Sequence, residues 1–133
     1  MGSCGLDFGS GPGPTLSIMF EEKGYPTAIY DPLYASDESV LKNKYDFVTS
    51  TEVVEHLRTP AASLNKMWSC VRTGGYLGIM TKLLINKSAF SDWHYKNDDT
   101  HICFFSRETF VWLSRQWQAE LEFEGNEIMI YKK

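Results

Sequence analysis

The sequence predicts an α/β fold, with a mostly parallel sheet, helices on both faces and a C-terminal antiparallel hairpin. Two observations carry that expectation. Short apolar runs alternate with stretches of helical periodicity through most of the chain. The last two apolar runs then flank Gly125-Asn126 directly, which is a hairpin signal.

Residues 4–8 read as a short buried strand, and Gly9-Ser10-Gly11-Pro12-Gly13-Pro14 follows as a turn. Residues 15–23 read as a helix, with Leu16, Met19 and Phe20 on one face and Gly24 as its stop. A second strand over 26–31 ends at Asp31-Pro32. Residues 36–42 suit a short helix, with Ser36 as N-cap and Asp37 and Glu38 favouring its N-terminus. A strand over 45–50 leads into a helix over 52–57, capped by Ser50 or Thr51.

Thr59-Pro60 starts the next helix with Pro at N1; its face carries Leu64, Met67, Trp68 and Val71. Thr73-Gly74-Gly75 ends it, and 76–82 form a strand. Residues 87–93 read as helical and 98–105 as irregular or partly extended. Ser106 caps a helix through Trp117, with Phe110, Leu113 and Trp117 on one face. Strands over 119–123 and 127–131 close the chain.

Composition narrows the function classes. The 133 residues fit one domain, and a hydrophobic content of 43% supports a packed core. No apolar run approaches a membrane span, and no signal peptide is evident. Cys4, Cys70 and Cys103 form no C-x-x-C pair, which argues against a disulfide framework and a zinc knuckle. A cytoplasmic location is the expectation. The net charge of −4 and the lack of a Lys/Arg stripe disfavour broad nucleic-acid affinity. Met1-Gly2-Ser3 reads as a terminal remnant, so an upstream segment is compatible with this chain.

The strongest chemical signal is Leu6-Asp7-Phe8-Gly9-Ser10-Gly11-Pro12-Gly13. Alternate glycines let the backbone take positive φ and approach a ligand closely. The turn lies between a strand and a helix, where open α/β sheets bind ligands. A dinucleotide fingerprint needs a further Gly where Pro14 stands, so a nicotinamide dehydrogenase is disfavoured. Asp31, ending the next strand, can accept hydrogen bonds from both hydroxyls of a nucleoside ribose. A packing-only glycine turn is the competing account.

This segment resembles motif I of the class I S-adenosylmethionine-dependent methyltransferases, which have a Rossmann-like fold. Asp31 matches that family's ribose-binding acid. Tyr45-Asp46-Phe47-Val48 resembles its fourth strand, and Gly74-Gly75-Tyr76-Leu77 the entry to its fifth. The run Glu52-Val53-Val54-Glu55-His56-Leu57 followed by Pro60 is similar to the ubiquinone-biosynthesis O-methyltransferase-like group. The resemblance implies a cofactor site of Asp7, Gly9, Ser10, Gly11, Gly13, Asp31, Pro32, Thr51 and Glu52. It also implies methyl transfer to a small molecule, with oxygen the first acceptor to consider. Two departures stand out. Only the stretch 32–45 separates Asp31 from Asp46, so the usual edge strand 3 is expected to be missing, and Leu33 and Tyr34 become candidates for adenine contact. The family's N-terminal helices are likewise expected to be missing.

Glu52, Glu55 and His56 fall at i, i+3 and i+4, which on a helix places them on one polar face opposite Val53, Val54 and Leu57. His56 and His101 are the candidate general bases, with Asp98 and Asp99 available to orient His101. No metal is expected. Were a divalent ion used, Glu52, Glu55, His56 and His101 are the candidates, with His94 a poorer one. Small-RNA 2′-O-methyltransferases carry a similar helix and a later His, so metal-assisted RNA methylation is an alternative. A solvated polar face is the plain account of the same residues.

Trp93, His94, Tyr95, Phe104 and Phe105 follow the fifth strand of the resemblance and are candidates for an acceptor pocket or for core. Lys82 could approach an anionic substrate or simply end its strand in solvent. A binding module that has lost turnover is a further alternative.

Overall fold

The computed structural model describes residues 2–133. Six strands form one sheet: β1 (Gly5–Phe8), β2 (Thr27–Tyr30), β3 (Tyr45–Thr51), β4 (Val71–Met80), β5 (Glu120–Glu124) and β6 (Ile128–Lys132). Three α-helices accompany it: α1 (Thr15–Glu22), α2 (Pro60–Cys70) and α3 (Arg107–Trp117). The spatial order is β2-β1-β3-β4-β6-β5. The first four strands run parallel, and β6 pairs antiparallel with both β4 and β5. The α/β fold with a closing hairpin is as expected, and β2 forms the edge where a third strand was expected to be missing.

From β1 the chain crosses through α1 to one side, and from β3 through α2 to the other. Right-handed crossovers in opposite directions put these helices on opposite faces. Central β1 is therefore covered on both sides, and all four of its residues are buried. The direction of winding changes between β1 and β3, which is where open sheets of this kind bind ligands.

The core joins strand and helix side chains. Leu6, Val48, Leu77, Met129 and Tyr131 have no exposure, and Leu64, Met67, Phe110 and Leu113 pack against them. Trp68 and Trp117 stack at 4.9 Å, both edge-on to Tyr131. Tyr131 hydroxyl donates to the Phe110 carbonyl at 2.8 Å, satisfying a polar group deep in this cluster. The outer edge strand β5 exposes Glu120, Glu122 and Glu124 between half-buried Leu121 and Phe123, and that row of charge discourages edge-to-edge pairing.

Several local expectations are corrected. Residues 52–57 do not form an amphipathic helix: the only helical piece is one 3-10 turn over Val54–His56. Glu52 takes φ +54, a left-handed conformation that breaks helix propagation, and neither Ser50 nor Thr51 caps the turn. Val71, expected on the helix, opens β4, and Thr73-Gly74-Gly75 is absorbed into that strand beside a register irregularity. The 36–42 segment is a 3-10 helix over Glu38–Lys42, capped by Asp37 rather than Ser36. On α1 only Ser17 is buried and Met19 is 49% exposed; no α-helix lies between β2 and β3, only the 3-10 turn over Glu38–Lys42. Residues 87–93 contribute a 3-10 turn over Ala89–Asp92, followed by another over His94–Asn97.

Candidate active site

A cleft of about 600 Å³ opens over the carboxyl ends of β1, β2 and β3. Gly9 and Gly11 form its floor; Asp31, Pro32, Leu33 and Tyr34 line one side, and Glu52, Val53 and His56 the other. The glycine turn is shaped by its neighbours. Gly9 has φ +83, and a Cβ there would lie 2.3 Å from Val53 Cγ2. Gly11 has φ +68 with nothing within 4 Å of a built Cβ, so its backbone faces open space. The amides of Gly9 and Ser10 both donate to the Tyr30 carbonyl, tying the turn to β2.

Asp31 organises the first side. It is 9% exposed. One carboxylate oxygen accepts the Gly11 amide at 2.9 Å; the other accepts the amides of Leu33 at 2.9 Å and Tyr34 at 3.2 Å. Its backbone bridges to Ala35, so the chain folds back at once where another strand would begin. Three of the carboxylate's four lone-pair sites are taken, and the one left, on the oxygen that accepts Gly11, can receive a ligand hydroxyl. Leu33 and Tyr34 are mostly exposed at the cleft rim.

Asp7, Ser10, Gly13 and Thr51 do not line this cleft. Asp7 lies below it, 4% exposed, accepting from Thr49 Oγ1 at 3.0 Å. Burial raises its pKa and the Thr49 bond lowers it, with burial the larger effect. Ser10 Oγ is buried without a protein partner, an orphan donor beside the turn. Gly13 is exposed and Thr51 ends β3 facing solvent.

The second side centres on Glu55, which was expected on a solvated face and is instead wholly buried. Its Oε2 accepts from Thr81 Oγ1 at 3.0 Å, while Oε1 has no hydrogen-bond partner. Thr81 Oγ1 is 3.1 Å from the Tyr95 hydroxyl, which donates to Glu52 Oε2 at 3.0 Å. Glu55, Thr81, Tyr95 and Glu52 thus form one line. Two hydroxyl protons serve three contacts, and one added proton on a carboxylate completes the row. Burial, then Glu55, raises the Glu52 pKa. Burial also drives the Tyr95 pKa far up, so that hydroxyl stays a donor. No sequence pattern flagged Thr81 or linked Tyr95 to Glu52; these partners are far apart in the chain and the sheet brings them together.

His56 and His101 meet edge to face, with ring centres 4.9 Å apart. His56 Nδ1 lies 2.9 Å from the Thr100 carbonyl, and His101 Nδ1 lies 2.5 Å from the Tyr95 carbonyl. A carbonyl only accepts, so each Nδ1 carries hydrogen, and His56 Nε2 lies 3.7 Å from Glu55 Oε1. His56 reaches the cleft with its side chain 38% exposed, whereas His101 is 9% exposed behind it. Asp98 lies 3.5 Å from His101 Nε2. Glu55, His56 and His101 each offer a ligand atom within 4.8 Å of the others. Glu52 and His94 are not in that group. The orphaned Glu55 oxygen and the two pinned imidazoles suit a divalent cation.

Beyond Tyr95, Trp93, Phe104 and Phe90 continue as a run of aromatic contacts. Phe105 turns into the core against Phe110. Lys82 is exposed, 5.8 Å from the Tyr95 ring centre.

An open parallel sheet, a glycine turn at its switch point and a buried acid on the next strand define a nucleoside-binding α/β protein. The chain belongs to the methyltransferase domain family, whose profile matches residues 2–122. That family places it among the class I S-adenosylmethionine-dependent methyltransferases. Similar folds include a SAM-dependent methyltransferase from Archaeoglobus fulgidus, with TM-score 0.73, 17% identity, and coverage of 99% of this chain and 86% of that one. An O-methyltransferase family protein from Burkholderia thailandensis matches with TM-score 0.71 and 11% identity over 98% of this chain and 51% of that chain. The 1,6-didemethyltoxoflavin-N1-methyltransferase of the same organism, bound to 1,6-didemethyltoxoflavin and S-adenosylhomocysteine, matches with TM-score 0.67 and 12% identity. That alignment covers 98% of this chain and 69% of the other. No curated protein matches the chain's sequence significantly. No helix among the described residues is long and apolar enough to cross a membrane.

Proposed function

We propose that this chain, as one cofactor-binding unit, transfers the methyl group of S-adenosylmethionine to an oxygen of a small cytoplasmic acceptor, in the manner of the ubiquinone-biosynthesis O-methyltransferase-like group. One observation carries the cofactor assignment: Asp31 clamps Gly11 beside the switch point while keeping acceptor capacity toward the cleft. The orphaned Ser10 hydroxyl and the open space over Gly11 fit a ligand resting on the turn. The Glu52–Leu57 run and Pro60 support the subgroup. The small-molecule acceptor of the Burkholderia toxoflavin enzyme supports a small acceptor.

S-adenosylmethionine supplies a sulfonium methyl carbon, which an acceptor lone pair attacks as the carbon–sulfur bond breaks and its electrons pass to sulfur. In this reading Asp31 holds the ribose, Pro32, Leu33 and Tyr34 border the base, and Gly9, Gly11 and Glu52 border the methionyl part. Asp7, Ser10, Gly13 and Thr51 support that cradle from below and beside it. His56, which lines the cleft, takes the acceptor proton at Nε2, 3.7 Å from the Glu55 carboxylate, and His101 packs behind it. Alignment and exclusion of water account for the rest of the rate.

A second reading is favoured by the buried, partnerless Glu55 Oε1. Glu55, His56 and His101 would hold a divalent cation, which would supply Lewis-acid activation of an acceptor hydroxyl.

The deciding experiment is calorimetric titration with S-adenosylmethionine and S-adenosylhomocysteine, repeated for Asp31→Ala. Binding of both, weakened at least about tenfold in the variant, is expected from loss of a charged acceptor. Failure of the unaltered protein to bind either ligand overturns the proposal.

A further inference from the structure

The tyrosine that follows the aromatic run has two unrelated attachments. Tyr95 hydroxyl donates to Glu52 Oε2 at 3.0 Å and touches Thr81 Oγ1 at 3.1 Å. Tyr95 carbonyl receives His101 Nδ1. The residue belongs to a single 3-10 turn, so these bonds, with ring contacts to Trp93 and His101, anchor that turn over β3 and β4.

Glu52 needs such an anchor. It is one of two non-glycine residues with positive φ among those described. The other, Gln118, is the left-handed cap ending α3, a routine place for that conformation. Glu52 instead leaves the central parallel strand β3, with its amide on the Met80 carbonyl at 2.9 Å and its side chain held by Tyr95. Backbone strain of this kind persists only where surrounding contacts overdetermine it, and it concentrates at ligand sites.

Charge indicates what Glu52 receives. Asp31 and Glu52 are the two carboxylates lining the cleft, and His56 is its one basic side chain. Asp31 already accepts three amides. Glu52 accepts a single hydroxyl, has buried Glu55 near it, and makes no ion pair with Lys82, a cation outside the cleft lining. Asp31 follows β2 and Glu52 follows β3, with β1 between them, so their strands lie roughly 10 Å apart at normal sheet spacing. A nucleoside held at Asp31 therefore extends its substituent across the glycine turn toward Glu52.

We infer that Tyr95 is a positioning residue that holds strained Glu52 in place to receive the α-ammonium group of the bound cofactor's methionyl arm. The inference rests on the cofactor assignment above. Glu52 accepts the ammonium hydrogens, and the Tyr95 hydroxyl keeps its carboxylate from turning to solvent. Because the arm and not the nucleoside is recognised here, the two halves of the ligand respond separately to substitution.

The test compares S-adenosylhomocysteine with 5′-methylthioadenosine, which keeps the nucleoside and sulfur but lacks the amino-acid arm. Calorimetric Kd values are measured for both ligands with the unaltered protein, Tyr95→Phe, Glu52→Gln and the double variant. Tyr95→Phe keeps the ring contacts and the carbonyl that holds His101. Each single variant is expected to weaken S-adenosylhomocysteine about tenfold, with 5′-methylthioadenosine changed less than about twofold. The double variant is expected to resemble Glu52→Gln, since the tyrosine acts through that carboxylate. Equal weakening of both ligands in Tyr95→Phe, or unchanged homocysteine-ligand affinity, overturns the role of Tyr95. Unchanged affinity in Glu52→Gln overturns the ammonium assignment. If the unaltered protein binds neither ligand, the cofactor assignment falls and this inference falls with it.

Discussion

Val53 fills the space that a side chain on Gly9 would need, with its Cγ2 2.3 Å from the position of a Cβ there. The glycine turn and the exit of β3 are therefore fitted to one another across the cleft floor. Gly9→Ala combines that overlap with φ +83, and is expected to destabilise the protein by roughly 2–4 kcal/mol. Gly13→Ala meets nothing within 4 Å and has no positive φ, so it is expected to be nearly neutral. Thermal unfolding of the two variants side by side checks the contrast.

His56 lines the cleft with Nδ1 fixed on the Thr100 carbonyl and Nε2 3.7 Å from Glu55 Oε1. His56→Gln is expected to lower kcat toward an oxygen acceptor by about 10²–10⁴-fold. Its Kd for S-adenosylhomocysteine should change by less than about twofold, because the imidazole serves the acceptor. A parallel loss of cofactor affinity would remove His56 from that role.

Asp46 links the start of β3 to the start of β1. Its carboxylate accepts the Cys4 amide at 2.7 Å and pairs with Arg72 at 3.0 Å. The Cys4 amide foremost, with Arg72, holds its pKa below the ordinary carboxylate value. A depressed folded pKa stabilises above the unfolded value, about 3.9, and that stabilisation disappears as pH falls through the folded value. The Tm difference between the unaltered protein and Asp46→Asn is expected at neutral pH and should shrink as pH drops below about 4. A pH-independent difference contradicts this linkage.

The Tyr131 hydroxyl is buried and donates to the Phe110 carbonyl in the first turn of α3. Burial raises its pKa, so the group stays neutral through the ordinary pH range. Tyr131→Phe removes one hydrogen bond without altering the Trp68 and Trp117 packing, and is expected to cost about 1 kcal/mol. Denaturant unfolding should show a lower midpoint with unchanged slope.

Much of the fold was legible because its signals are local. Apolar runs of strand length, the glycine turn after Phe8, Pro60 at a helix start and Gly125-Asn126 in the hairpin each report on adjacent backbone. The short Pro32–Tyr45 stretch likewise revealed the missing strand, since too few residues remained to build one. The Glu52–Leu57 segment was misread because its helical spacing is real while its backbone is governed elsewhere. Val53 is drawn to Gly9, Glu52 adopts a left-handed turn, and Glu55 finds Thr81 inside the protein. Asp31, Glu52 and His56, which strand-end and motif position singled out, line the cleft. Thr81 and the Tyr95 bridge were not singled out, since their meaning comes from pairing across β4 and from a turn with no periodic signature.

The register of the central strands also bears on how the chain is made. Asp7 of β1 meets Thr49 of β3 across 42 residues. On a ribosome working at about 5–20 residues per second, β1 emerges roughly 2–8 s before that partner. During this interval its apolar backbone can pair only with β2, leaving its other edge exposed. The cleft floor is thus completed by a late arrival, and the nascent chain passes through a stage in which its most buried strand is an open edge.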